Sequence, residues 1–188
     1  MEKTTYINFF SLVWPPSVGA LMNIISQKIQ QGVEKIVLLI SSPGGNVNSG
    51  LTLYSFLKRI PIELDTFNYE SVDSIAVAVF CAGKKRFCVK DGKFFMHELQ
   101  YNIPAGKAQF MPKELSEVSN NLEKDRKKIV SIVAENCGKQ AEEIGKDMEE
   151  TKGLNAEQAK DYGLVHEIKE ELYPQGSEVI TISVWPNA

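Results

Sequence analysis

Apolar residues in the first hundred positions come in two textures that alternate, short unbroken runs and helically spaced sets. Tyr6 to Phe10 predicts a short strand. Pro15-Pro16 opens a helix through Gln30, with Val18, Leu21, Ile24, Ile25 and Ile29 recurring on one face and Gly32 ending it. Lys35 to Ile40 is aliphatic almost throughout, as a strand covered on both faces requires. A glycine turn follows at once, then a helix from about Asn48 to Ile60. The next unit repeats the plan: a strand at Ile62 to Asn68, a turn, and an apolar helix at Ser74 to Ala82. Short strands are predicted at Arg86 to Val89 and Lys93 to Met96. About Pro112 to Asn136 reads as the only long polar helix, with Leu115, Val118, Leu122, Ile129, Ile132 and Val133 apolar. A shorter helix spans Leu154 to Gly163 behind Asn155 as N-cap, and Val179 to Trp185 is strand-like. Alternating strands and helices with buried runs predict an α/β fold, and no self-similarity suggests a solenoid.

Composition narrows the picture without changing it. With 188 residues, 43% hydrophobic and 24% charged, the chain can bury a substantial core, and a single domain over residues 1–188 is the economical reading. A net charge of -3 lacks the basic stripe of a nucleic-acid binder. The cluster Lys84-Lys85-Arg86 reads as a solvated turn between two strands. Cys81, Cys88 and Cys137 are odd in number and lack metal-ligand spacing, so they resemble buried, reduced thiols, and neither a zinc site nor any other metal or cofactor is expected. No run reaches membrane-spanning length and the first ten residues carry no signal-peptide core, so a soluble, cytoplasmic protein is expected.

The candidate chemistry lies in three separate segments. Ser74 opens an apolar run, Ser42-Pro43-Gly44-Gly45 forms a turn after the β-rich run, and His97 ends a predicted strand 23 residues after Ser74. Serine needs a base to become a nucleophile, and histidine is suited to that near neutrality. Adjacent glycines let backbone N–H groups face a developing oxyanion, and a helix N-terminus just beyond adds a favourable dipole. Together these are the parts of a serine hydrolase. His166, the second histidine, reads as a surface or packing residue.

Four anchors in order, Ser42-Pro43-Gly44-Gly45, Asp73-Ser74-Ile75-Ala76, Phe95-Met96-His97-Glu98 and Ala156 through Val165, resemble those of the Clp protease proteolytic subunit. The resemblance implies a crotonase-like fold of repeated strand-strand-helix units with a protruding handle region at about 101–136. It implies a serine endopeptidase that cleaves peptides or unfolded polypeptides inside a chamber of stacked homo-oligomeric rings, through an acyl-enzyme on Ser74. His97 would be the base, and the N–H groups of Gly45 and Ile75 the oxyanion hole. Asp73 and Ala76 stand where the family usually has a small residue and a glycine. Thr151 falls where the family carries the aspartate that orients the histidine, with Glu150, the adjacent Glu149 or Asn155 as substitutes. A Clp ATPase unfoldase is the family's usual partner, but the first strand begins by Tyr6, without the usual preceding segment, which counts against docking. Other readings are a pseudo-peptidase that only builds rings, a crotonase-fold acyl hydrolase or hydratase, and a Ser-Lys peptidase. The last needs a catalytic lysine that the sequence does not offer.

Overall fold

The computed structural model describes residues 3–101, 103, 106 and 109–186. Its chain order is β1 (Thr4–Phe10), α1 (Pro15–Gln30), β2 (Lys35–Ser42), α2 (Val47–Leu57), β3 (Glu63–Asp73), α3 (Ile75–Phe80), β4 (Arg86–Cys88), β5 (Lys93–Met96), α4 (Pro112–Cys137), α5 (Ala141–Glu149), β6 (Lys152–Asn155), α6 (Ala156–Asp161), β7 (Glu167–Ile168) and β8 (Val179–Ile182). The strands form one sheet in the order β6-β5-β3-β2-β1-β8, with β4 beside β3 and β7 beside β4. All pairings are parallel except β5–β6. The α/β reading therefore holds. The aliphatic run in β2 is buried from Ile36 onward because helices cover one face and a second apolar cluster of Val37, Leu39, Phe67 and Phe87 sits on the other.

β3 decides where the chemistry sits. The sequence suggested a strand ending at Asn68, yet β3 runs to Asp73 and changes partner on the way. Thr66 to Asn68 pair with β4, and Ser71 to Asp73 pair with β5. The Asn68 side chain makes the fork possible. Its Nδ2 donates to the Lys93 carbonyl at 2.8 Å, and its Oδ1 accepts the Glu70 N–H at 3.0 Å, satisfying backbone groups that the change of partner releases.

Other differences have local causes. α5 was not anticipated, because its nine residues expose acidic side chains and bury only Ile144, Gly145, Asp147 and Met148. The predicted helix at Leu154 is split into β6 and α6, with Asn155 capping α6 as expected by accepting the Gln158 N–H at 2.9 Å. Arg86 corrects the reading of Lys84-Lys85-Arg86 as a solvated turn. Lys84 and Lys85 are exposed, but Arg86 is 4% exposed, and its guanidinium donates to the carbonyls of Leu164 (2.8 Å), Asn136 (2.8 Å) and Gly163 (3.1 Å). It ties the carbonyl end of α4 to the turn that follows α6, a role invisible in a charge run.

α4 packs along its C-terminal part, where Ile129, Ile132 and Val133 are buried, while Leu115 near its start is 53% exposed. The apolar side chain of Leu115 therefore meets solvent, while the second half of the helix belongs to the core. The cysteines are free, and burial pushes Cys81 and Cys88 up to about 12 and Cys137 up to about 11, so they are protonated at neutral pH. No helix of the described residues is long and apolar enough to cross a membrane.

Candidate functional site

Ser74 stands between β3 and α3 with φ 56° and ψ −129°. A side-chain-bearing residue is strained there, and the surroundings must hold it. The Ser74 N–H donates to the Phe95 carbonyl at 2.7 Å, its own carbonyl accepts the Val77 N–H at 3.0 Å, and the glycine turn presses from the third side. A Cβ on Gly44 would come within 2.7 Å of both the Asp73 carbonyl oxygen and the Ser74 Cβ. Although Ser74 is the N-cap of α3, its side chain makes no capping bond. The hydroxyl stays available at the C-terminal edge of the parallel sheet, where open α/β sheets place ligands.

The turn itself is fixed by Val13, which no motif of the chain marks out. Val13 donates to the Gly44 carbonyl at 2.7 Å, and the Asn46 N–H donates to the Val13 carbonyl at 2.7 Å. Gly44 and Gly45 have φ of 88° and 145°, and a Cβ on Gly45 would collide with the Val13 carbonyl oxygen. Among the described residues, neither the Gly45 nor the Ile75 N–H is spent on a protein acceptor. Asn46 begins α2 by accepting the Ser49 N–H at 2.8 Å.

His97 directly follows β5. Its Nδ1 is 2.7 Å from the Glu98 carbonyl oxygen, which can only accept, so Nδ1 carries the hydrogen and the neutral tautomer that fits this contact has its lone pair on Nε2. Ser74, Ile75 and His97 line one pocket, with Val77, Met96, Leu99, Ile129, Val133 and Met148 as apolar walls. Among the described residues the Ser74 hydroxyl has no hydrogen bond to the imidazole. His166 lies elsewhere, exposed at its rim, with Nδ1 accepting the Arg86 N–H at 3.0 Å. Among the described residues no cluster of His, Cys, Asp and Glu side chains is arranged to hold a metal ion.

The family model described as Clp protease matches residues 19–171. The chain belongs to the Clp protease family. It is thereby a Clp-type peptidase, in a family whose members form stacked-ring oligomers. Among solved structures it resembles an asparagine-to-aspartate mutant of ClpP1 from Listeria monocytogenes, with 24% identity over 90% of this chain and 92% of that one and a TM-score of 0.76. At that identity the likeness speaks for the fold.

Against the Clp pattern, the third position has an unusual geometry. β5 and β6 pair antiparallel as far as Met96 opposite Lys152, and His97 and Thr151 are the residues that adjoin this last pair. Thr151 has φ 58°, rare for a β-branched residue, and its side chain is exposed. No hydrogen bond joins it to His97 among the described residues. Glu150 is exposed and pairs with Lys146 at 3.6 Å, Glu149 pairs with Arg126 at 2.7 Å, and Asn155 is used as a cap. Nearby Asp147 is buried and taken up by the Tyr162 hydroxyl at 2.5 Å and Lys152 Nζ at 2.7 Å. Asp73, beside the nucleophile candidate, has its carboxyl pushed up mainly by burial and by Glu70, against the pull of the Ser71 hydroxyl that donates to it at 2.8 Å.

Proposed function

We propose that this chain hydrolyses peptide bonds through an acyl-enzyme on Ser74, with His97 as general base and then general acid. The observation that carries the reading is the strained Ser74 elbow sharing one pocket with His97. In the first half-reaction the Ser74 Oγ–H passes its proton to His97 Nε2 as Oγ attacks the scissile carbonyl. The resulting oxyanion is received by the N–H groups of Gly45 and Ile75, and the imidazolium then protonates the departing amine. Water repeats the sequence in reverse to release the acid. The Nδ1–H bond to the Glu98 carbonyl supports this order, since it fixes the tautomer that the base needs.

The exposed Leu115 near the start of α4, with exposed Met111 just before the helix, supports pairing of subunits through the handle into a ring chamber that admits peptides or unfolded polypeptides. One Clp-like domain spans the chain in this reading, and a Clp ATPase is the partner class to test for feeding it. A second reading, a catalytically impaired ring subunit, is favoured by one observation: the Nδ1 partner of His97 is a neutral carbonyl, which orients the ring but gives the imidazolium no charge partner.

Ser74→Ala and His97→Ala, measured with a fluorogenic peptide and a fluorophosphonate probe, decide between the two. The enzyme reading expects the wild type to be labelled at Ser74 and both variants to lose turnover equally. A wild type that assembles yet neither labels nor turns over supports the impaired subunit. Turnover that survives Ser74→Ala refutes the nucleophile.

A further inference from the structure

Glu98 connects the imidazole of His97 to the handle helix. Its carbonyl oxygen accepts from His97 Nδ1 at 2.7 Å, and its carboxylate is held at both oxygens. Oε1 accepts the Leu99 N–H at 3.0 Å, and Oε2 accepts Arg126 Nε at 2.9 Å. Arg126 lies on α4 and does more than pair with Glu98. Its Nη2 donates to the Gly145 carbonyl at 3.0 Å and to Glu149 at 2.7 Å, both on α5. The lack of a side chain at Gly145 makes room, since a Cβ there would sit 3.3 Å from Arg126 Nη2. The guanidinium is therefore fixed by three acceptors on two segments, and its side chain is only 21% exposed.

Resting on the Ser74–His97 reading above, we propose that Arg126 is a positioning residue for the base, holding through the Glu98 carboxylate the peptide carbonyl that takes the imidazole Nδ1–H. Thr151, next to the last β5–β6 pair, is exposed and carries no carboxylate, and the orienting bond to His97 comes from the main chain. A main-chain carbonyl in the segment after a strand orients an imidazole only if that peptide is itself fixed, and the fork of Arg126 is what fixes it. The same α4 also supplies Ile129 and Val133 to the pocket, so one helix sets both the pocket wall and the angle of the base.

The two histidines of the chain make this measurable. His97 donates from Nδ1, whereas His166 accepts at Nδ1 from the Arg86 N–H, so the two rings should show opposite neutral tautomers in ¹⁵N NMR of the full chain. Arg126→Ala should shift His97 towards a mixture of tautomers while His166 keeps its own, and should lower kcat roughly 10- to 100-fold with little change in KM, as a misplaced catalytic group does. Glu98→Ala is the variant that keeps the fold safe, because Arg126 retains Glu149 and the Gly145 carbonyl. It should give the same tautomer shift, and the double variant should add little to either. A His97 that stays fully Nδ1–H in Glu98→Ala overturns the proposal, and so does a loss of melting temperature in Arg126→Ala with both tautomers intact, which would assign the clasp to helix docking alone. Because the tautomer is read without turnover, its outcome is separate from that of Ser74→Ala: an inactive wild type with the expected tautomer shift refutes the reading of function and leaves the positioning role standing.

Discussion

Replacing Gly45 by alanine tests the oxyanion turn more sharply than any change at the nucleophile. At φ 145° an L-residue is strained by about 1–3 kcal/mol, and the new Cβ would overlap the Val13 carbonyl oxygen, with the Val13 carbonyl carbon 3.1 Å away. Backbone must move, because Val13 is main chain at the point of collision. The two hydrogen bonds that tie Val13 to Gly44 and Asn46, at 2.7 Å each, are the contacts that yield, at about 1 kcal/mol apiece. Together the destabilisation is about 3–5 kcal/mol, which in a chain of this size lowers the melting temperature by roughly 10 °C. Moving the Gly45 N–H away from the oxyanion should cost about 10²- to 10³-fold in kcat. Thermal unfolding followed by circular dichroism and peptide turnover well below the melting point read the two effects separately. Gly19→Ala is the control: it lies within α1 with nothing within 4 Å of the added Cβ, so it should stabilise slightly and leave turnover alone. A Gly45→Ala protein with kcat within about threefold of wild type, against the loss expected for an oxyanion donor, would refute the role given to this turn.

Thr151→Asp places a carboxylate just beyond the Met96–Lys152 pair, beside the strand end that carries His97, and aspartate tolerates positive φ better than threonine. It should raise kcat without lowering the melting temperature; unchanged turnover in both Thr151→Asp and Glu150→Gln would show that neither side chain serves the imidazole. Arg86→Ala leaves the carbonyls of Leu164, Asn136 and Gly163 without their buried donor and should cost about 3–5 kcal/mol in chemical denaturation, and a loss under 1 kcal/mol would contradict the clamp. His166 is held below the usual histidine range, mainly by burial and then by Arg86, so the unfolded chain takes up its proton first as pH falls. Its share of stability is present above about pH 6.5 and is lost below it, so His166→Gln should flatten the decline in melting temperature between neutrality and about pH 5. An identical decline in the variant would count against this assignment.

The periodic segments were legible because each needs only local pattern. The aliphatic run of β2, the spacing in α1 and α4 and the cap at Asn155 follow from solvent exclusion and short-range backbone bonding, and they suffice for an α/β fold. The linear motifs around Gly45, Ser74 and His97 likewise lie in contiguous residues. What no window of sequence contains is the set of contacts between segments far apart in the chain. The fork of β3 depends on Asn68 reaching β5, and the oxyanion turn on Val13, 32 residues before Gly45. Arg86 looked solvated because charge runs usually are, and only the convergence of two helix ends makes its burial favourable. α5 is short, nine residues with only Ile144 and Met148 as large buried apolar side chains, and Thr151 gains its odd conformation from the junction that α5 makes with β6. Sequence determined which residues are available for chemistry here. Tertiary structure decided how the imidazole is held, because the orientation of a side chain is set by the partners that packing brings to it.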